Sequence, residues 1–183
     1  AMEDVAIASA IPNMRVLAPC DPEETRLATQ WCATQEQGPV YLRLGKAGEP
    51  TISGNAEPFR FGNIRRLRDG SKACVLGYGP ILNLAMQADP QAAVFSVHTL
   101  KPLDGEGIGG VLSYFPRVVV LEEMVAHGGL GEAVKVIAWE TGAKCRIEHL
   151  SLKDEFIHRY GSHADLLSAH GLTMENIRRA LND

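Results

Sequence analysis

A strand that runs directly into a glycine-rich turn and then a helix is the feature that most constrains how this chain can fold. The segment VVVLEEMVAHGGLGEAVKVIAW, residues 118–139, begins with four apolar residues in succession, a pattern typical of strands covered on both faces of a sheet. Three glycines within four positions follow, and the helical pattern after them ends at Gly142. Such units indicate a parallel sheet with helices on both faces.

Helices and strands alternate across short loops in the rest of the chain. CDPEETRLATQWCATQ is predicted to be a helix capped by Asp21, with Glu24 placed three residues later as in a capping box. GLTMENIRRALND predicts a closing helix capped by Thr173, and AAVFSVHTL predicts one continuous strand. We therefore predict an α/β fold with a doubly wound, mostly parallel sheet.

Composition divides the chain into two α/β pieces. Residues 45–58, GKAGEPTISGNAEP, are rich in Gly, Pro and Ala without periodicity and are predicted to be a linker. Residues 1–44 read as helix, strand, helix, strand, a piece too short to bury a sufficient core alone, whereas residues 59–183 are long enough for a domain. Just after the linker, the dipeptide at 69–70, Asp-Gly, predicts a β-hairpin between two strands.

The charge balance and the cysteines exclude several classes of protein. A net charge of −4 without a clustered basic patch argues against binding to nucleic acid or to an anionic membrane surface. No apolar run approaches the roughly 20 residues that a membrane-spanning helix needs. The four cysteines stand far apart without a CxxC pair, which indicates reduced thiols and predicts a cytoplasmic protein.

Two glycine-rich turns are candidates for phosphate binding, because such turns between a strand and a helix often bind anions. LGYGPILNL has Gly77 and Gly79 but lacks the third glycine of the dinucleotide fingerprint. AHGGLGEAV is not followed by the Lys-Ser/Thr pair of a P-loop. Composition favours the alternative, in which the glycines let the strands turn sharply and the helices pack close to the sheet.

A few other residues are of types that carry chemistry. Glu122 and Glu123 end the apolar strand, where a carboxylate either points into a site or caps the next helix. Cys20 precedes a helix, a position that can lower the pKa of a thiol. The six histidines lack the spacing of metal ligands and are expected at the surface. Arg43 ends a predicted strand, where α/β sheets bind ligands, and arginine suits phosphate.

Six segments, some of them quoted above, occur in an order that a known family shares. These are AIPNMRVLAPCDPEETR, GPVYLRLG, LGYGPILNLA, VHTLKPLD, VVVLEEMVAHGGLGEAV and DEFIHRYGSHADLLSAHGLTMENI. Together they resemble the C-terminal part of the transketolase family of thiamine diphosphate enzymes, and the similarity covers nearly the whole chain. Met124 stands where the family often has histidine or asparagine, so the resemblance carries no polar role to that position.

The resemblance implies the organisation of the chain and the role of one residue. Residues 1–44 are expected to be a remnant of the pyrimidine-binding domain, 45–58 a linker and 59–183 the C-terminal domain. Arg43 is implied to bind the phosphate of a sugar-phosphate substrate. Thiamine diphosphate and magnesium are expected in the complete enzyme, between the diphosphate-binding and the pyrimidine-binding domains, so no catalytic residue and no bound cofactor are expected in this chain.

The function implied is transfer of a two-carbon ketol unit between sugar phosphates by the complete enzyme. The chain itself is expected to be an inactive fragment with a role in assembly, either as a homodimer or paired with a subunit that carries the diphosphate-binding domain. Two alternatives remain open. One is a fragment of a deoxyxylulose-phosphate synthase, and the other is a free-standing α/β nucleotide-binding or interaction module that shares only the fold.

Overall fold

In the computed structural model, which describes residues 2–34, 38–155 and 160–183, the chain folds into two sheets flanked by helices. The strands are β1 (Arg15–Leu17), β2 (Val40–Leu42), β3 (Arg65–Arg68), β4 (Cys74–Gly77), β5 (Ala93–Ser96), β6 (Thr99–Lys101), β7 (Arg117–Val125) and β8 (Arg146–Leu152). The helices are α1 (Asp4–Ala10), α2 (Pro22–Thr34), α3 (Leu82–Ala88), α4 (Gly105–Tyr114), α5 (Leu130–Thr141), α6 (His163–Ala169) and α7 (Met174–Asn182). Among these described helices, none has the length and apolar character that crossing a bilayer requires.

The larger sheet confirms the predicted doubly wound α/β fold. Its order is β3-β5-β4-β7-β8, and the strands from β5 to β8 are parallel. Side chains alternate along each strand, so the sheet has an apolar core on either side. Leu76 and Val120 pack on the side of α4 and α5, whereas Val75 and Val119 pack on the side of α3 and α7.

The smaller sheet joins the two pieces that the sequence separates. Its order is β2-β1-β6, with β1 parallel to β2 and antiparallel to β6. The prediction of one continuous strand in AAVFSVHTL is wrong, because the run breaks at Val97 and His98 into β5 and β6. Val97 N–H donates to the Gly77 carbonyl at 2.7 Å, and the His98 carbonyl accepts from Ala18 N–H at 2.8 Å. The chain thus passes from one sheet to the other.

The predicted hairpin at residues 69–70 is also wrong. β3 and β4 are not neighbours, because β5 lies between them and pairs with β3 in antiparallel register. All four residues of β5 are buried, so this strand takes an interior position, whereas β3 exposes Arg66 and suits a sheet edge. Gly70 instead allows close packing, since a Cβ there would overlap the backbone of Gln91 and Ala93.

Helix ends follow the predicted chemistry closely. Asp21 Oδ1 accepts from Glu24 N–H at 2.7 Å, and Thr173 Oγ1 accepts from Asn176 N–H at 3.2 Å. Gly142 ends α5 in the left-handed conformation with φ of 66°. Helix α6 was not predicted, although the capping box that Ser162 forms with the third residue of the helix is its local signal.

The segment 45–58 contains no helix or strand, as predicted, yet the protein holds it firmly. Asp21 Oδ2 accepts from the backbone N–H groups of Ile52 and Ser53, both at 2.7 Å, and Asp21 Oδ1 accepts from Ser53 Oγ at 3.0 Å. The assignment of residues 1–44 and 59–183 to separate domains stays a prediction.

Candidate functional site

A cavity of about 570 Å³ opens near the carboxyl ends of β2, β4 and β7. Carboxyl ends of parallel strands are where α/β proteins bind ligands. Most of the cavity wall is apolar, and its ionisable side chains are Arg43, Lys46, Glu49, Glu123 and His163. Glu123 Oε1 lies 2.6 Å from His163 Nε2, which links the end of β7 to the start of α6. The sequence placed Arg43 and Glu123 at strand ends, and the structure brings both to one cavity.

Arg43 is fixed by groups from two different elements. Its Nε donates to Asp4 Oδ2 at 3.0 Å, and its Nη2 donates to the Glu123 carbonyl at 3.1 Å. The Arg43 side chain is 17% exposed, so the guanidinium is largely covered while it still borders the cavity. These contacts set the plane of the guanidinium, which is the property that bidentate recognition of an anion requires.

The glycine-rich turn after β7 holds a carboxylate of the protein itself. Leu130 and Gly131 each donate a backbone N–H to the Glu122 carboxylate at 2.9 Å. A Cβ at Gly129 would overlap this carboxylate, and a Cβ at Gly131 would overlap the His149 ring. Of the two alternatives for Glu122, capping of the next helix is therefore the one that the structure shows.

Glu122 is the centre of a buried polar network. It has no exposed surface, and it accepts hydrogen bonds from Tyr78 Oη at 3.0 Å and from His149 Nε2 at 2.7 Å. Lys135 Nζ, which can only donate, lies 3.4 Å from His149 Nδ1, so Nδ1 accepts and Nε2 carries the proton. Burial, reinforced by the Glu122 charge, raises the pKa of Tyr78.

A second buried network surrounds Glu24 and includes the backbone of Cys20. Glu24 accepts from Cys20 N–H at 2.8 Å, from Ser96 Oγ at 2.7 Å and from Arg65 Nη1 at 3.3 Å. Cys20 precedes a helix, a position that can lower the pKa of a thiol, but that effect does not dominate here. Burial and the neighbouring charges of Glu24 and Asp21 instead raise the pKa of this thiol, so it is not activated as a nucleophile.

The prediction that the histidines lie at the surface is wrong for His98 and His170, which are buried. His149 is partly buried, whereas the side chains of His127 and His163 are exposed. The remaining histidine, at position 158, lies outside the described residues. Burial lowers the pKa of His98, whose ring stacks on Phe59. Across the described ranges, no group of three or more His, Cys, Asp or Glu side chains could hold a metal ion.

Sequence reasoning missed Asp4, which contacts Arg43, and it missed Lys46 and His163, which line the same cavity. Asp4 starts α1, and its only local signal is an acidic residue in the first turn of a helix. His163 follows Ser162, and the capping box there would have placed it at the start of a helix. Met124 is fully buried in the core, in accord with its apolar character at a position where the family often has a polar residue.

Comparisons with known proteins agree, along most of the chain, with the family resemblance found in the sequence. Residues 62–177 match the family model for the transketolase C-terminal domain. A 1-deoxy-D-xylulose-5-phosphate synthase from Alcanivorax borkumensis is 30% identical over 98% of this chain and 28% of its own length. A protein from Phocaeicola vulgatus that is named as one subunit of an apulose-4-phosphate transketolase is 29% identical over 96% of this chain and 58% of its own length.

A solved structure described as a split gene transketolase, an inactive β4 tetramer, has a TM-score of 0.86 and 29% identity. It matches 99% of this chain, and the chain in turn covers 60% of that protein. The chain thus spans only part of each of these relatives. The family model, the relatives and the structure agree with the order of motifs and with the doubly wound sheet. The chain therefore belongs to the transketolase family and carries its C-terminal domain.

Proposed function

We propose that this chain is the C-terminal part of an enzyme that transfers a two-carbon ketol unit between sugar phosphates. Membership of the transketolase family supports the proposal, as does the similarity to a split gene transketolase and to a protein named as a transketolase subunit. The chain alone is proposed to be inactive, with the groups that perform the chemistry in the rest of the complete enzyme.

Arg43 at the cavity wall is the observation that carries this proposal. Its guanidinium, held by Asp4 and by the Glu123 carbonyl, is permanently charged and planar. The cavity of about 570 Å³ falls within the usual range of small-molecule sites. We therefore propose that Arg43 binds the phosphate of the substrate and that the substrate enters through the cavity.

Replacement of Arg43 tests the assignment. In the complete enzyme, Arg43→Ala is expected to raise KM for a phosphorylated sugar about tenfold or more, because a charge-assisted hydrogen bond is lost. Steady-state kinetics with an unphosphorylated hydroxyaldehyde should show an unchanged KM. Arg26→Ala is the matched control, since Arg26 is exposed on α2 and contacts Glu23 and Gln30 of the same helix. An unchanged KM for the phosphorylated sugar in Arg43→Ala would overturn the assignment.

Enzymes of this family depend in general on thiamine diphosphate, with magnesium, and the complete enzyme is proposed to use both. The glycine-rich turn after β7 offers no free donors to the diphosphate of this cofactor. The backbone N–H groups of Leu130 and Gly131, which could have faced a diphosphate, are taken by Glu122. The described ranges also lack a cluster of side chains that could hold a metal ion. The proposal therefore assigns cofactor binding to the rest of the enzyme.

We further propose that the chain acts in assembly, as a homodimer or paired with a polypeptide that carries the diphosphate-binding domain. One relative is named as a subunit of a transketolase, and one similar structure is described as a β4 tetramer of a split gene transketolase. Both names belong to proteins that this chain resembles, and they support pairing with another polypeptide. We also propose that the protein is cytoplasmic, because the spacing of its cysteines is typical of reduced thiols.

A deoxyxylulose-phosphate synthase is the second candidate for the complete enzyme. The observation that favours it is the identity of 30% with the synthase from Alcanivorax borkumensis over almost the whole of this chain. Such an enzyme would condense pyruvate with glyceraldehyde phosphate, so both candidates require a phosphate site, which we assign to Arg43. Consumption of pyruvate by the complete enzyme would support the synthase, and transfer from a ketose phosphate without pyruvate would support the transketolase.

A further inference from the structure

Asp4 makes two hydrogen bonds with a single carboxylate oxygen. Asp4 Oδ2 accepts from Tyr41 Oη at 2.7 Å and from Arg43 Nε at 3.0 Å. Tyr41 and Arg43 are two positions apart on an extended segment, so their side chains project to the same side. One carboxylate at the start of α1 thereby holds both.

The environment of Asp4 is costly for a carboxylate. The side chain is 12% exposed, and its other oxygen, Oδ1, is buried without a hydrogen-bond partner among the described residues. A buried oxygen without a donor costs free energy, so stability alone does not account for an aspartate here. The hydrogen bond from Tyr41 to Asp4, with burial, also raises the pKa of Tyr41, which keeps this phenol a donor.

We infer that Asp4 is a positioning residue, which sets the orientation of the Arg43 guanidinium at the cavity and thereby the affinity of the site for phosphate. The inference rests on the proposed function of Arg43. Asp4 holds the Nε edge from α1, while the Glu123 carbonyl holds Nη2 from β7, so the guanidinium plane is fixed from two sides. The negative charge of Asp4 opposes the attraction of a phosphate, so Asp4 acts through geometry.

Orientation and charge can be separated by two substitutions of Asp4 in the complete enzyme. Asp4→Ala removes the acceptor and is expected to raise KM for a phosphorylated sugar about fivefold, with kcat within about twofold. Asp4→Asn keeps an acceptor oxygen without the charge and is expected to restore KM to within about twofold of wild type. The double variant Asp4→Ala with Arg43→Ala should match Arg43→Ala alone, because Asp4 acts only through Arg43.

The controls distinguish failure of this inference from failure of the proposed function. Glu23→Ala removes an exposed carboxylate that also pairs with an arginine, and it should leave KM unchanged. If Arg43→Ala leaves KM unchanged, the proposed role of Arg43 in phosphate binding fails. If Arg43→Ala raises KM but Asp4→Ala does not, only the inference is overturned.

An equal rise of KM for phosphorylated and unphosphorylated substrates in Asp4→Ala would also overturn the inference, since it would show a general structural role. Should Asp4→Ala fail to fold, Asp4→Glu carries the same test, because it keeps the charge and displaces the acceptor oxygen by one methylene. Inhibition by inorganic phosphate gives an independent measurement. The inhibition constant against the phosphorylated sugar should rise in parallel with KM.

Discussion

Glu122 occupies, as a side chain, the place where α/β turns often hold a phosphate. Its carboxylate accepts from two backbone N–H groups at the start of α5 and has further donors in Tyr78 and His149. Helix N-termini favour anions, and an anion supplied by the chain itself satisfies them without a ligand. The glycines at this turn therefore make room for a side chain of the protein.

Substitution of these glycines provides the prediction at the scale of single residues. Gly131→Ala is expected to lower the free energy of unfolding by about 1–3 kcal/mol, because the new Cβ meets the His149 ring. Gly110→Ala is the matched control within α4, where a Cβ meets nothing within 4 Å. It should raise the free energy of unfolding by about 0.5–1 kcal/mol. Urea unfolding of both variants measures these changes, and equal effects of the two would contradict the packing argument.

The sequence could place Arg43 near a site but could not identify the residues that fix it. Arg43 could be predicted from the sequence because strand ends and motif order are local features. Asp4 lies 39 positions away from Arg43, and Arg65 lies 41 positions away from Glu24. Contacts at such separations depend on how elements pack, and no periodicity or capping rule contains that information.

At the scale of elements, helix ends were predictable and strand pairing was not. Asp21, Gly142 and Thr173 end or begin helices through contacts within five residues, which sequence patterns record. The Asp-Gly dipeptide at 69–70 suggested a hairpin on the same local basis. Pairing was decided instead by β5. All of its residues are buried, so the backbone groups along both of its edges need hydrogen-bond partners from a neighbouring strand. Local turn chemistry did not outweigh that requirement.

Asp21 joins α2 to the segment 45–58, and its substitution tests that connection. Asp21→Asn places an amide against the N–H groups of Ile52 and Ser53 and should lower the free energy of unfolding by about 1–3 kcal/mol. Limited proteolysis should then cleave the segment 45–58 faster than in wild type. Asp69→Asn is the control, because Asp69 is 86% exposed, and its effect should stay within about 0.5 kcal/mol.

The effect of Asp21→Asn on stability is expected to depend on pH. Burial alone would raise the pKa of Asp21, but hydrogen bonds from Glu24, Ser53 and Ile52 hold it below its ordinary value of 3.8. The stabilisation is therefore complete above that value and is lost as the pH falls through the lower pKa of the folded protein. The difference in Tm between wild type and Asp21→Asn should therefore stay constant at higher pH and shrink as the pH falls below 3.8. A difference that stays constant below that value as well would contradict this account.

At the scale of the whole molecule, residues 1–44 and 59–183 share structure despite their separation in sequence. β6 pairs only with β1 among the described strands, and Val16 and Ala18 lie in the same core as the larger sheet. The Arg65 side chain is 6% exposed and pairs with Glu24 of α2. Each piece therefore supplies groups that the other needs.

Removal of residues 1–44 tests this mutual dependence. The segment 59–183 alone should unfold at a lower urea midpoint than the whole chain and should associate, because β6 becomes an open edge and Arg65 loses its partner. Urea unfolding and light scattering measure both effects. The matched control is the whole chain cleaved within residues 46–49, which keeps every one of these contacts. A monomeric segment with the midpoint of the whole chain would contradict the prediction.

The run from β5 to β6 also bears on how members of this family can exchange parts. One continuous stretch, residues 93–101, contributes a strand to each sheet, so the border between the two pieces in space does not coincide with the irregular segment 45–58 in sequence. Recombination within that segment would combine β1 and Glu24 of one parent with β6 and Arg65 of the other. We therefore expect crossovers at the linker to be tolerated only when the two parents match at both partners of each pair.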